Sequence, residues 1–163
     1  MSIQSQKKNM QAIFGLVSQD LGYIFGEKES GPNGAKKQFH TKSAAFLRAL
    51  GNELDLKEFN VSRNYGGIAV AGEITLMGFW DSGNGVYFQI SQSLGSEQRF
   101  LYRSISHMKD YTGSRNQWMD ADLFMKQDYE AVVDLLLALR NEADTNAASG
   151  AEIPAKAVSH RVA

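Results

Sequence analysis

The hydrophobic period changes at the centre of this chain, and that change constrains the fold more than any other feature. Ile68, Val70, Ile74 and Leu76 alternate with Ala69, Ala71, Glu73 and Thr75, and Val86, Phe88 and Ile90 alternate with Tyr87, Gln89 and Ser91. Successive side chains of a strand point to opposite faces, so a period of two describes a sheet with one face buried. Asp81-Ser82-Gly83-Asn84-Gly85 lies between the two runs and supplies residues that tolerate positive φ, which predicts an antiparallel hairpin. Phe59 to Arg63 and Arg99 to Ile105 read as flanking strands, joined through Asn64-Tyr65-Gly66-Gly67 and Leu94-Gly95-Ser96. The expectation is a four-stranded antiparallel meander.

On either side the period is helical. Ile13, Phe14, Leu16, Val17 and Leu21 predict a helix over Met10 to Leu21, weakened by Gly15 and Gly22 at about 1 kcal/mol each relative to alanine. Glu27 to Gln38, rich in Ser, Gly, Pro and Asn, reads as an exposed loop. A second helix starts at Thr41 or Ser43 and carries Phe46, Leu47, Leu50 and Leu54. Ala121 to Lys126 predicts a short helical turn, and Asp128 caps a helix through Arg140 with Val132, Val133, Leu135, Leu136 and Leu139 inward. Residues 143–163 lose their periodicity and read as a solvated tail. The fold class that follows is α+β: one domain over residues 1–142, with the helices packed on one face of the sheet.

Composition narrows the function classes. A formal charge of −1 with 21% charged residues excludes a strongly basic nucleic-acid binder as judged from the whole-chain balance. The absence of cysteine removes disulfides, thiolate chemistry and Cys-based zinc sites. No run reaches the roughly 18 apolar residues of a membrane span, and MSIQSQKKNMQ lacks the apolar core of a signal peptide, so a cytoplasmic protein without membrane contact is expected. No HExxH, GxSxG or phosphate-loop pattern occurs, and three histidines without ligand spacing point to no metal and no cofactor.

The candidate site is Leu101 to Met119, LYRSISHMKDYTGSRNQWM, where basic, polar and aromatic groups replace the apolar residues of a core segment. Tyr102, Arg103, His107, Lys109, Tyr111, Arg115 and Asn116 are the expected partner-binding residues. Tyr and Arg are frequent interface anchors, and the turn at Thr112-Gly113-Ser114 projects its neighbours. Either Tyr102 or Arg103, according to register, joins Glu73, Thr75, Tyr87, Gln89 and Ser91 on the polar sheet face. Trp118 reads as a core anchor and Trp80 as packing over the hairpin edge. Direct nucleic-acid binding is the alternative. Lys36, Lys37, Lys42, Arg63, Arg103 and Lys109 would meet phosphates while nearby aromatic groups stack on single-stranded bases. Third comes a hydrolase centred on His107 with Asp110 and Arg103, against the simpler reading that His107 and Asp110 close a turn.

The stretch YGGIAVAGEITLMG, then GVYFQISQ, LYRS and MKDYTGSRNQWM, resembles small uncharacterised proteins carried by bacteriophages and conjugative plasmids. That resemblance spans roughly residues 40–140 and implies a context: a non-enzymatic accessory protein that binds a host protein or nucleoprotein complex, including inhibitors of bacterial defence systems, or that handles DNA.

Overall fold

The computed structural model describes residues 2–17, 34–66, 72–93, 97–111 and 114–148, the last six of these by backbone alone. Helix α1 (Ile3–Leu16) and helix α2 (Ala35–Glu53) precede strands β1 (Glu58–Asn64), β2 (Glu73–Phe79), β3 (Gly85–Ser91), β4 (Arg99–Ile105) and β5 (Gln117–Asp120). The short helix α3 (Asp122–Met125) and helix α4 (Tyr129–Ala148) follow. The class is α+β as expected, and the sheet is an antiparallel meander in the order β1-β2-β3-β4-β5. It has five strands where the sequence predicts four. The additional strand, Gln117-Trp118-Met119-Asp120, is too short to display a period by itself. It forms because Met119 sits opposite Phe100 and is buried there.

Register sorts the strand residues into two sets of cross-strand rows. One face carries Val61, Leu76, Phe88, Tyr102 and Gln117 in a single row, flanked by Ile74 beside Ile90 and by Phe100 beside Met119. All of these but Gln117 join Phe39, Phe46, Leu47, Leu50, Phe124, Val132, Leu136 and Leu139 in the core, Val61 as a partly buried member. Helix α2 lies against β1 and β2, α4 against β3 and β4, and α1 against the other three helices. The opposite face carries the rows Asn60, Met77, Tyr87, Arg103 and Ser62, Thr75, Gln89, Leu101, Trp118.

Helix limits differ from the expected ones because the buried stripes run further upstream. In α1, Ser2 caps the start by accepting from the Ser5 N–H, and Gln6, Met10 and Ile13 form the inward stripe, so the helix covers Ile3–Leu16 and not Met10 to Leu21. In α2 the stripe starts at Phe39, one turn before Ser43, so Ala35–Gln38 are helical and Lys36 and Lys37 stand on a helix, not in a loop. The remainder of the expected loop up to Asn33, residues 18–21 of the first helix, the Ile68 and Val70 portion of the alternation, and the Leu94-Gly95-Ser96 turn lie outside the described residues. Asp128 accepts from the Ala131 N–H, as its capping role requires, and α4 runs to Ala148, past the expected start of a tail; residues 149–163 lie outside the described residues.

Two tryptophan and asparagine contacts tie the hairpin to the helices. The Trp80 indole is 1% exposed and its Nε1–H donates to the Leu54 carbonyl at 2.7 Å, so the turn end of β2 is pinned to the end of α2. At the hairpin tip, Gly83 adopts φ 86°, Trp80 N–H bonds Asn84 O, and the Asn84 amide donates to the Arg140 carbonyl at 2.6 Å. Gly78 allows β1 to approach β2: a Cβ there would stand 2.6 Å from Phe59 Cβ and 2.8 Å from the Glu58 carbonyl oxygen. Because one of those obstacles is backbone, Gly78→Ala is expected to cost about 1–3 kcal/mol in denaturant unfolding.

His40 is the least comfortable core residue. It is 1% exposed, neither ring nitrogen has a hydrogen-bond partner among the described residues, and the Tyr65 ring packs against it at a tilt of 48° with centroids 4.3 Å apart. Burial, aided by the charges of Arg63 and Lys36, lowers its pKa from the usual 6.5 to about 4. The unfolded chain therefore takes up a proton near pH 6.5 that the folded chain refuses until about pH 4, so stability is full above 6.5 and falls as the pH drops through that window. His40→Leu is expected to flatten the decline of Tm between pH 6.5 and 4 relative to the unsubstituted chain.

Candidate functional site

Register decides which of two neighbours belongs to the site. Tyr102 is opposite Phe88 and lies in the core, 6% exposed, where burial raises its hydroxyl pKa. Arg103 is opposite Tyr87 on the other face, yet it is also only 6% exposed. An arginine expected to offer its charge to a partner is instead consumed internally. Its guanidinium lies over the Tyr87 ring, 4.5 Å from the centroid, a distance at which the ring quadrupole attracts a cation. One terminal nitrogen donates to Asn116 Oδ1 at 2.9 Å, and the other to the carbonyls of Tyr111 at 2.6 Å and Asp110 at 3.3 Å. The planar fork thus draws the middle of the connection between β4 and β5, at Asp110 and Tyr111, and its last residue, Asn116, onto the sheet.

Thr112 and Gly113, of the expected projecting turn, lie outside the described residues, and other described residues of the connection are held in the same way. The Ser114 hydroxyl donates to the Ser104 carbonyl at 3.1 Å, which leaves the Ser104 hydroxyl to donate to Ser114 Oγ at 2.6 Å. Asp110, 8% exposed, accepts from both the amide and the hydroxyl of Ser106, and its own N–H bonds the His107 carbonyl. The Ser106 hydroxyl also contacts His107 Nδ1 at 3.0 Å. In a hydrolytic triad the imidazole stands between nucleophile and carboxylate. Here the hydroxyl bonds the carboxylate directly, and the exposed imidazole is at its side, an arrangement that closes a turn.

What this scaffold presents outward is a compact set of large side chains. Tyr111 is 70% exposed and Trp118 is 51% exposed, and Lys109, Arg115 and Asn116 are exposed beside them. Trp118 is therefore no core anchor: Met119 takes the inward position of β5, and the indole falls on the outer face opposite Leu101. The Arg99 guanidinium stands 5.7 Å from the Trp118 ring and pairs with Glu97. Arg99, Ser114, Arg115, Asn116, Gln117, Trp118 and Glu142 line an open groove of about 640 Å³ between β5 and α4, and the Gln117 amide donates to Glu142 across it at 2.9 Å.

Of the expected partner-binding residues, His107, Lys109, Tyr111, Arg115 and Asn116 are exposed on this connection, whereas Tyr102 and Arg103 are buried supports. Arg99, Trp118, Gln117 and Glu142 were not anticipated. Only the fifth strand and its pairing with β4 bring them together. The alternative set is divided between two places, with Lys36 and Arg63 both close enough to His40 for their charges to act on it, and Arg103 and Lys109 on and after β4. Arg63 is on the edge strand β1, three strands (about 14 Å) across the sheet from β4, and three residues along β1 from Asn60, which shares the row of Arg103. Lys36, Lys37 and Lys42 stand on α2, which packs against β1 and β2. Charges around the groove are mixed, with Glu97, Asp120 and Glu142 close in sequence or space to Arg99 and Arg115.

Protein-family models, curated proteins and solved structures were each compared with this chain, and none matches. Among the described residues no helix is long and apolar enough to cross a membrane.

Arg103→Met retains apolar length and removes the fork. It leaves the carbonyls of Asp110 and Tyr111 without their donor, so a loss of about 2–4 kcal/mol is expected. Hydrogen exchange should localise the effect, with amides of Ser106–Tyr111 accelerating more than those of β2 and β3.

Proposed function

We propose that the protein is a non-enzymatic binding protein that engages a host protein or nucleoprotein complex through the β4–β5 connection and the groove beside β5. The observation that carries this reading is the pair of exposed aromatic side chains, Tyr111 and Trp118, flanking exposed Arg115, with Tyr111 and Asn116 tied to the sheet by buried Arg103. Aromatic residues and arginine dominate the energetics of protein interfaces, and a preorganised loop loses little entropy on docking. Helices covering one sheet face and leaving the other for a partner are part of the same reading. It is supported by α2 against β1 and β2, by α4 against β3 and β4, and by half-exposed Thr75, Tyr87 and Gln89 on the opposite rows. The resemblance to bacteriophage and plasmid accessory proteins suggests a bacterial defence complex as the partner.

A second reading, direct binding of single-stranded nucleic acid, draws on Trp118 and Arg99, since an exposed indole beside a guanidinium is a stacking platform. The mixed charge around the groove and the separation of the basic residues favour the protein partner.

Capture from bacterial lysate, with and without nuclease and at two salt concentrations, separates the two. A stoichiometric protein that survives nuclease treatment is expected, and Tyr111→Ala with Trp118→Ala should weaken its binding at least about 30-fold while leaving Tm unchanged. Recovery that vanishes with nuclease and falls steeply with salt would transfer the assignment to nucleic acid. Undiminished capture by the double variant would reject this surface.

A further inference from the structure

The two edges of the sheet are built differently. At one end β5 has four residues, finishes at Asp120, and is flanked by the Gln117–Glu142 hydrogen bond to α4. At the other end β1 has seven residues in unbroken register with β2, from Glu58 opposite Phe79 to Asn64 opposite Glu73, with no bulge and no proline. Among the described residues nothing bonds its outward N–H and C=O groups. Its charges are confined to Glu58 and Arg63 near the ends, so the centre, Phe59-Asn60-Val61-Ser62, carries none of the devices that normally protect an edge.

We propose that β1 is a self-association edge, pairing antiparallel with β1 of a second copy of this chain to join the two sheets. The side chains select both the occupant and the register. With Val61 opposite Val61 of the second copy, Asn60 meets Ser62 on the outer face, an amide against a hydroxyl, and Phe59 meets Arg63 on the other face, a ring against a guanidinium. Glu58 meets the neutral Asn64, and no like charges oppose one another. Sliding the copies until Asn60 faces itself opposes Lys57 to Arg63, and sliding until Ser62 faces itself sets Arg63 against Val61. Of these three registers, the Val61-centred one avoids both the like-charge pair and the charge against an aliphatic side chain. Because β1 and β5 are at opposite ends of the sheet, such a dimer leaves both copies of the proposed partner surface free.

Sedimentation velocity on the full chain over a concentration series tests this, with variants at two exposed outer-face positions. Asn60→Lys with Ser62→Lys sets lysine against lysine and should weaken the dimer at least about tenfold, whereas Asn60→Lys with Ser62→Glu sets lysine against glutamate and should preserve it. The chain has no cysteine, so single cysteines report register directly. Val61→Cys should form an intermolecular disulfide under mild oxidation, and Glu58→Cys, which faces Asn64 of the second copy, should not. A wild-type chain that stays monomeric throughout, a dimer indifferent to both double variants, or cross-linking through Glu58→Cys in preference to Val61→Cys would each overturn the proposal.

Discussion

Strand register is the constraint on which the rest of this molecule depends, because a slip of one residue exchanges every side chain between the buried and the open face of the sheet. Here the row through Val61, Leu76, Phe88 and Tyr102 faces the core, and the row through Asn60, Met77, Tyr87 and Arg103 faces away. The hairpin turn between β2 and β3 sets that register locally. Trp80 then fixes it to the helices by burying its indole and bonding the Leu54 carbonyl, and Asn84 does the same at the tip by bonding the Arg140 carbonyl. A slipped sheet would break both attachments as well as inverting the rows.

The open face is not simply wet. Gly85 has no side chain, and Phe79 and Ile105 close over it from the two neighbouring strands; an added Cβ would stand 2.5 Å from Phe79 and 2.8 Å from Ile105. Next to this small apolar patch lies the Arg103 guanidinium on Tyr87, roofed by the carbonyls of the β4–β5 connection. Burying a cation is costly unless hydrogen bonds replace its water, and the fork obtains three of them. Asp110, Tyr111 and Asn116 are thereby tied to the sheet, next to the exposed Arg115 and in the same segment as the exposed Trp118.

Much of the fold is legible in the residues themselves. The alternation at Ile74 to Leu76 and Val86 to Ile90 locates two strands and their turn, and Asp128 marks the start of α4 by the hydrogen bond it makes. The failures have physical causes. The start of α1 is concealed because a buried stripe position is occupied by polar Gln6, and the start of α2 because Phe39 follows a segment with loop composition. Strand β5 is concealed because four residues hold only two inward positions, one of them Gln117. With β5 unseen, nothing distinguishes Trp118 from an ordinary core tryptophan, whereas the structure leaves its indole exposed.

The sequence by itself determined the α+β class, the hairpin, the helical stripes around Phe46 and Val132, and the concentration of contact-type residues between Leu101 and Met119, since each depends on spacing within one short segment. Only the tertiary structure decided that Arg103 is a buried support, that Trp118 is exposed, and that Glu142 shares a groove with Arg115. Those outcomes depend on which strand pairs with which and in what register, and such pairings join residues far apart in the chain whose identities carry no mark of one another.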